Sequence, residues 1–117
     1  MTNQVEVYLL RLDDGGDCQN TSVPNDPNKA VGTVFCQRQD DGSTVVAVNA
    51  TLGPDRSYNF FLKCVRLLGV LQTGDEGACS AKFQFGPGEA GASFAFDCYQ
   101  EPPVSGDIYQ SATVKLD

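Results

Sequence analysis

Short runs that alternate between apolar and polar residues, separated by turns rich in glycine and proline, constrain this chain most. In residues 79–85 every second side chain is apolar, and residues 92–98 repeat the pattern with Phe94 and Phe96. A period of two places successive side chains on opposite faces of a β-strand. The two runs are therefore predicted to be strands with one buried face.

The turn at residues 86–91 predicts a hairpin between these two runs. A register centred on the turn places Phe83 opposite Phe94 and Cys79 opposite Cys98, all facing one side. A slip of one residue would turn the phenylalanines to solvent, so the buried face selects this register. We therefore expect a Cys79–Cys98 disulfide at the open end of the hairpin.

A second hairpin is predicted around Asp41-Gly42, the strongest short turn signal in the chain, between strands at residues 31–39 and 44–52. Its expected register packs three residues of one strand against three of the other: Val31, Thr33 and Phe35 against Val46, Val48 and Ala50. Cys36 would then lie on the opposite face, within reach of the loop that carries Cys18. This predicts a Cys18–Cys36 disulfide and leaves Cys64 as a buried free thiol.

Further alternating runs lie at residues 5–12, 57–64, 68–73 and 107–116, which brings the total to about eight short strands. The runs at 57–64, 68–73 and 79–85 are expected to form a meander. No stretch combines helical caps with a period of 3.6 residues. Many evenly spaced short strands predict an all-β fold, an antiparallel β-sandwich, formed by residues 1–117 as a single domain.

Charge and cysteine content limit the classes of partner and the cellular compartment that we expect. Fifteen acidic and eight basic residues give a net charge of −7, which disfavours nucleic acid and anionic lipid as partners. No apolar run approaches the ~18 residues of a membrane span. Five cysteines without any histidine indicate disulfides in an oxidising compartment and disfavour zinc. We expect an extracytoplasmic or secreted protein whose export segment is absent from this chain; the alternative is a cytoplasmic protein with reduced thiols.

One part of the chain resembles a known kind of domain. Residues 52–62, with Gly53-Pro54 before Tyr58, are followed by Leu68-Gly69, the Gly-Asp-Glu-Gly turn at 74–77 and the strand at 83–85. Over residues 31–96 this order resembles that of uncharacterised extracytoplasmic immunoglobulin-like β-sandwich domains of bacteria. The resemblance implies an immunoglobulin-like fold and a secreted setting, and it carries over no functional residues.

The sequence offers candidate residues for two kinds of binding site, a calcium site and an aromatic surface, and for no catalytic site. Without histidine, Ser-His-Asp and Cys-His arrangements are excluded, and the paired aspartates lie in turns, where they serve as backbone acceptors. We therefore predict no enzymatic activity and no cofactor apart from calcium. Asp13, Asp14 and Asp17 could supply oxygen ligands to Ca²⁺. The alternative for these three residues is an ordinary Gly/Asp turn.

Four aromatic residues that are predicted to point outward are the other candidate binding site: Phe61, Tyr8, Tyr99 and Tyr109. Flat rings exposed on a β-sandwich are typical of proteins that bind sugar. The alternative is that these rings pack under loops. Asn20, in a loop, also begins a glycosylation acceptor sequence that could be modified. The sequence thus predicts a monomeric, non-enzymatic secreted or cell-surface module with a structural or binding role and an unknown protein or carbohydrate partner. The alternative is a soluble ligand-binding protein for carbohydrate or calcium, with a cytoplasmic location included.

Overall fold

The computed structural model describes residues 3–12 and 16–116, and these residues form β-strands and turns without a helix. The strands are β1 (Gln4–Arg11), β2 (Ala30–Arg38), β3 (Thr44–Thr51), β4 (Ser57–Leu62), β5 (Arg66–Gln72), β6 (Ala78–Phe85), β7 (Ser93–Phe94), β8 (Phe96–Tyr99), β9 (Ile108–Ser111) and β10 (Val114–Lys115). All the strand pairs are antiparallel. The prediction of an antiparallel all-β fold is confirmed.

Eight of the strands form one sheet in the order β5-β4-β8-β9-β1-β2-β3-β6, while β7 and β10 pair separately. The large sheet curls until its two edge strands meet. There, Gly69 of β5 lies so close to Phe83 of β6 that an added Cβ would be 2.4 Å from Cε1 of the ring. The sheet is therefore nearly barrel-shaped, and its concave side encloses the core.

The core is built around a cluster of phenylalanine rings. Phe60 stacks on Phe83, with 5.3 Å between ring centroids, and on Phe96, with 5.1 Å. Phe94 meets the rings of Phe85 and Phe96 edge-on. Of the four phenylalanines predicted to share one face, three are buried and Phe83 is half-buried against the core. That prediction is confirmed, and each buried ring contributes about 2 kcal/mol.

The predicted hairpin across residues 86–91 is wrong. β6 pairs with β3, where Phe83 lies opposite Val46. The segment after the turn divides between β7, which pairs with β10, and β8, which lies between β4 and β9. A six-residue loop does not fix the register of its flanking strands as a two-residue turn does, so each run pairs elsewhere. The predicted meander of residues 57–64, 68–73 and 79–85 is also wrong, because β5 pairs with β4 but not with β6.

The hairpin at Asp41-Gly42 is confirmed, but its register differs by one residue from the predicted one, so β2 turns its other face to the core while β3 buries Val46 and Val48 as predicted. Gly42 has a φ of +88°, and β2 pairs with β3 with Cys36 opposite Val46. Val34 and Cys36 are fully buried, whereas Phe35 is half-buried on the other side. Within the turn, Asp41 accepts hydrogen bonds from the backbone N–H and the hydroxyl of Ser43.

The disulfide links Cys18 to Cys64, with the Cα atoms 5.6 Å apart. The predicted Cys18–Cys36 bridge is wrong, because the register of β2 turns Cys36 into the core and away from the loop. Cys64, expected to be a buried thiol, instead lies exposed in the turn after β4 with a φ of +66°. The bridge therefore fastens the β1–β2 loop to the β4–β5 turn.

The predicted Cys79–Cys98 bridge is also wrong. The two cysteines belong to β6 and β8, which are not neighbours in the sheet. Cys98 is fully buried, and Cys79 is half-buried with its Sγ 3.6 Å from the carbonyl oxygen of Ala50. Both are free thiols, as is Cys36.

The long polar loop between β1 and β2 is also held by Asn20. Its side chain is fully buried, and Nδ2 donates hydrogen bonds to the carbonyl oxygens of Phe96 and Ser111 at 3.2 and 2.9 Å. Nζ of Lys63 donates to its Oδ1 at 2.7 Å. Since the amide is enclosed, the expectation that Asn20 could be glycosylated is wrong for the folded protein.

Candidate functional site

The convex side of β4, β5 and β8 forms the first candidate surface. In β4, Tyr58, Phe60 and Leu62 point into the core, so Asn59 and Phe61 point outward. Cross-strand pairing places six outward residues in two rows, which we call the outer aromatic face: Val70, Asn59 and Tyr99 in one row, and Leu67, Phe61 and Asp97 in the other.

Two rings lie side by side at the centre of the outer aromatic face. Phe61 and Tyr99 stack with 5.0 Å between centroids and 24° between planes. Beside them, the apolar side chains of Leu67 and Val70 are 44% and 51% exposed. A cavity of about 300 Å³ opens here against Leu67, Phe61 and Asp97. Exposed apolar clusters with polar groups beside them mark binding surfaces.

Asp97 is the acidic group of this surface. Burial raises the pKa of its carboxyl, and the nearby charge of Lys63 opposes that shift. Burial also raises the pKa of the Tyr99 hydroxyl, which keeps this hydroxyl protonated at neutral pH. The outer aromatic face therefore combines two flat rings with one carboxylate acceptor, one hydroxyl and the amide of Asn59.

A larger cavity, of about 660 Å³, lies at the end of the curled sheet where β1 and β3 finish and β4 and β9 begin. We call it the end cleft and define it by the charged and apolar side chains that line it: Arg11, Lys29, Val31, Arg56, Val104 and Asp107. Four of these six residues, Lys29, Arg56, Val104 and Asp107, lie in loops or turns outside the strands.

Asp107 is the buried anchor of the end cleft. Its carboxylate accepts hydrogen bonds from the hydroxyls of Tyr58 and Tyr109, from Nε2 of Gln100, and from Nη1 of Arg56 at 3.0 Å. Burial alone would raise the pKa of Asp107, but these four donors together hold it below the ordinary value. Asp107 is therefore a charged, fully engaged structural group.

The predicted calcium ligands fall in two places. Asp13 and Asp14 lie outside the described residues. Asp17 is exposed, and its carboxylate accepts hydrogen bonds from the backbone and the hydroxyl of Thr21. Among the residues that the structure describes, no group of three acidic, histidine or cysteine side chains is placed to hold a metal ion. Calcium binding stays a prediction.

The four predicted aromatic residues also lie in different parts of the structure. Phe61 and Tyr99 come together on the outer aromatic face, whereas Tyr109 is buried and bonded to Asp107. Tyr8 lies on β1, away from this pair in the sheet order. The cluster around Asp107 was not predicted. Its members are up to 51 residues apart, and no local pattern connects them.

The free thiols are held in their protonated form. Burial raises the pKa of Cys36 to about 12 and also raises the pKa of Cys79 and of Cys98. A cysteine nucleophile requires a lowered pKa, so these thiols are unsuited to catalysis. No helix among the described residues is long and apolar enough to cross a membrane.

No protein-family model matches this chain, and no match was found among curated proteins or among solved structures.

Proposed function

We propose that this protein is a non-enzymatic, extracytoplasmic binding module of the immunoglobulin-like β-sandwich type, secreted or at the cell surface, and that its outer aromatic face binds carbohydrate. The observation that carries the proposal is the stacked pair of Phe61 and Tyr99 on the convex side of the sheet. The polar side chains beside this pair are also of the kind that binds sugar hydroxyls.

The chemistry of a sugar suits this surface. A pyranose ring has an apolar C–H face and a rim of hydroxyl groups. The rings of Phe61 and Tyr99 offer flat apolar area with little side-chain freedom to lose. Asp97 and Asn59 lie in the same two rows, where a carboxylate and an amide can bond to sugar hydroxyls. A few polar groups in an apolar surface are what fixes the orientation of a small ligand.

Two further observations support the non-enzymatic and extracytoplasmic parts of the proposal. The free thiols have raised pKa values, and Asp107 is engaged by four donors, so neither provides an available nucleophile or base. The Cys18–Cys64 disulfide fits an oxidising compartment, since disulfides seldom persist in the cytosol.

The test is a titration of the folded protein against a panel of soluble neutral polysaccharides. We expect Phe61→Ala and Tyr99→Ala each to lower the affinity for a bound polysaccharide about tenfold. Phe35→Ala is the matched control, because Phe35 is also a half-buried ring but belongs to β2. If no polysaccharide binds, or if the β2 variant loses as much affinity as the other two, the proposal is wrong.

A further inference from the structure

The end cleft concentrates positive charge in an acidic protein. The whole chain has only eight lysines and arginines against fifteen acidic residues. Three of those eight, Arg11, Lys29 and Arg56, line this one cavity. Its acidic lining residue, Asp107, is already bonded to Arg56 and to the buried tyrosines. The residues that line the end cleft therefore carry a net positive charge, opposite in sign to the net charge of the molecule.

Two of these cations are available to a ligand. Arg11 and Lys29 are exposed, and within the described part of the chain neither forms an ion pair. Arg56 keeps 45% of its side chain exposed while its Nη1 is held by Asp107. That contact fixes the direction of the guanidinium. A positioned guanidinium bonds a carboxylate more tightly than a free one, because less side-chain freedom is lost.

The cavity also has apolar walls, which indicate that the ligand has an apolar part in addition to its charge. Val31, Leu52 and Val104 line it, and Val104 is 45% exposed. A volume of about 660 Å³ admits a small organic molecule or the end of a chain, and far exceeds the size of a bare inorganic anion.

From these contacts we infer that the end cleft is a second binding site, for an organic carboxylate whose charge is received by Arg11, Lys29 and Arg56 and whose body packs on Val31 and Val104. This site is independent of the outer aromatic face and adds an anionic ligand to the neutral carbohydrate proposed there. The carboxylate can come from an acidic sugar or from the C-terminus of a peptide.

Two matched pairs of probes test the inference by titration calorimetry at constant ionic strength. Galacturonate is compared with galactose, and acetyl-alanyl-leucine with its C-terminal amide, so that within each pair the carboxylate is replaced by a neutral group of similar size. We expect saturable binding of a carboxylate probe and no binding of its neutral partner at this site. The pair that responds identifies the source of the carboxylate.

Variants then locate the site. In R11Q/K29Q we expect the affinity for the carboxylate probe to fall about tenfold or more, since two of three charges are removed. K82Q/K115Q is the control, because it removes the same net charge from exposed residues of β6 and β10 and should change affinity by less than about twofold. All four positions are exposed, so the variants should fold, and their melting temperatures verify this.

The inference is overturned if no carboxylate probe binds, if its neutral partner binds equally well in a Phe61→Ala background, where binding at the outer aromatic face is weakened, or if K82Q/K115Q loses as much affinity as R11Q/K29Q. Binding of galacturonate that disappears in Phe61→Ala and persists in R11Q/K29Q would also overturn it, because the ligand would then occupy the outer aromatic face. Loss of neutral polysaccharide binding in Phe61→Ala bears only on the carbohydrate proposal, so the two can fail separately.

Discussion

Tyr109 donates a hydrogen bond of 2.6 Å from its hydroxyl to Oδ1 of Asp107. The hydroxyl of Tyr58 lies within 2.9 Å of both oxygens of the same carboxylate, and the two tyrosine rings pack edge-on at 5.8 Å. A loop carboxylate thus connects β4 and β9 beneath the end cleft. Burial, followed by the contact with Asp107, raises the pKa of both hydroxyls, so they remain donors at neutral pH.

Replacing Asp107 should destabilise the fold in a manner that depends on pH. Asp107→Asn removes the charge that four donors surround, and we expect a loss of about 2 kcal/mol in the free energy of unfolding at pH 7. The pKa of this carboxyl is lower in the folded protein than in the unfolded chain. Its contribution is therefore present above the unfolded-state pKa of about 3.9 and is lost as the pH falls through the folded-state pKa.

Urea unfolding at pH 7 and at pH 3 measures this dependence. The gap between wild type and Asp107→Asn should be smaller at the lower pH. Asp75→Asn is the control, since Asp75 is exposed in the turn before β6 and should have little effect at either pH. A gap that stays constant between the two pH values would contradict a charged, hydrogen-bonded Asp107.

The disulfide should be detectable by counting thiols. Protein from an oxidising host, denatured without reductant, should show three reactive thiols, those of Cys36, Cys79 and Cys98. Replacement of both Cys18 and Cys64 by serine should cost about 2–4 kcal/mol, because it frees a loop closed over a separation of 46 residues. Five thiols would refute the bridge, and peptide mapping that linked Cys79 to Cys98 would contradict the structure, in which both are free thiols.

Asn20 should contribute more to the stability of the folded protein than its position in a polar loop suggests. Asn20→Ala leaves two buried carbonyl oxygens without their donor, and we expect a loss of about 3 kcal/mol in the free energy of unfolding. Asn28→Ala in the same loop is exposed and should cost less than about 0.5 kcal/mol. Equal effects of the two substitutions in chemical denaturation would show that the loop is not anchored through Asn20.

Closure of the sheet rests on the contact between Gly69 and Phe83. Gly69→Ala should destabilise by about 2 kcal/mol, because the new Cβ would overlap the ring. In a Phe83→Ala background the same substitution should cost much less, and a double-mutant cycle measures that coupling. Gly91→Ala, where an added Cβ meets nothing within 4 Å, is the control. Additive effects would mean that β5 and β6 do not meet.

Some features followed from local pattern alone. The period of two in β6 and around Phe94 and Phe96 identified strands and the phenylalanines that fill the core, because alternation depends only on neighbouring residues. Asp41-Gly42 identified the β2–β3 hairpin, because a tight turn fixes which strands are adjacent. The outward position of Phe61 came from the same alternation.

Other features depended on which strands meet, and only the tertiary structure decided them. The runs flanking residues 86–91 are equally good strands in the predicted hairpin and in the observed sheet, since the apolar faces are satisfied in both. Once β6 pairs with β3 and β8 with β4, Cys79 and Cys98 no longer lie opposite each other on neighbouring strands. Cys18 reaches Cys64, and Arg56 reaches Asp107, across separations of 46 and 51 residues. Such contacts are set by the packing of the whole chain, for which no local spacing provides a signal.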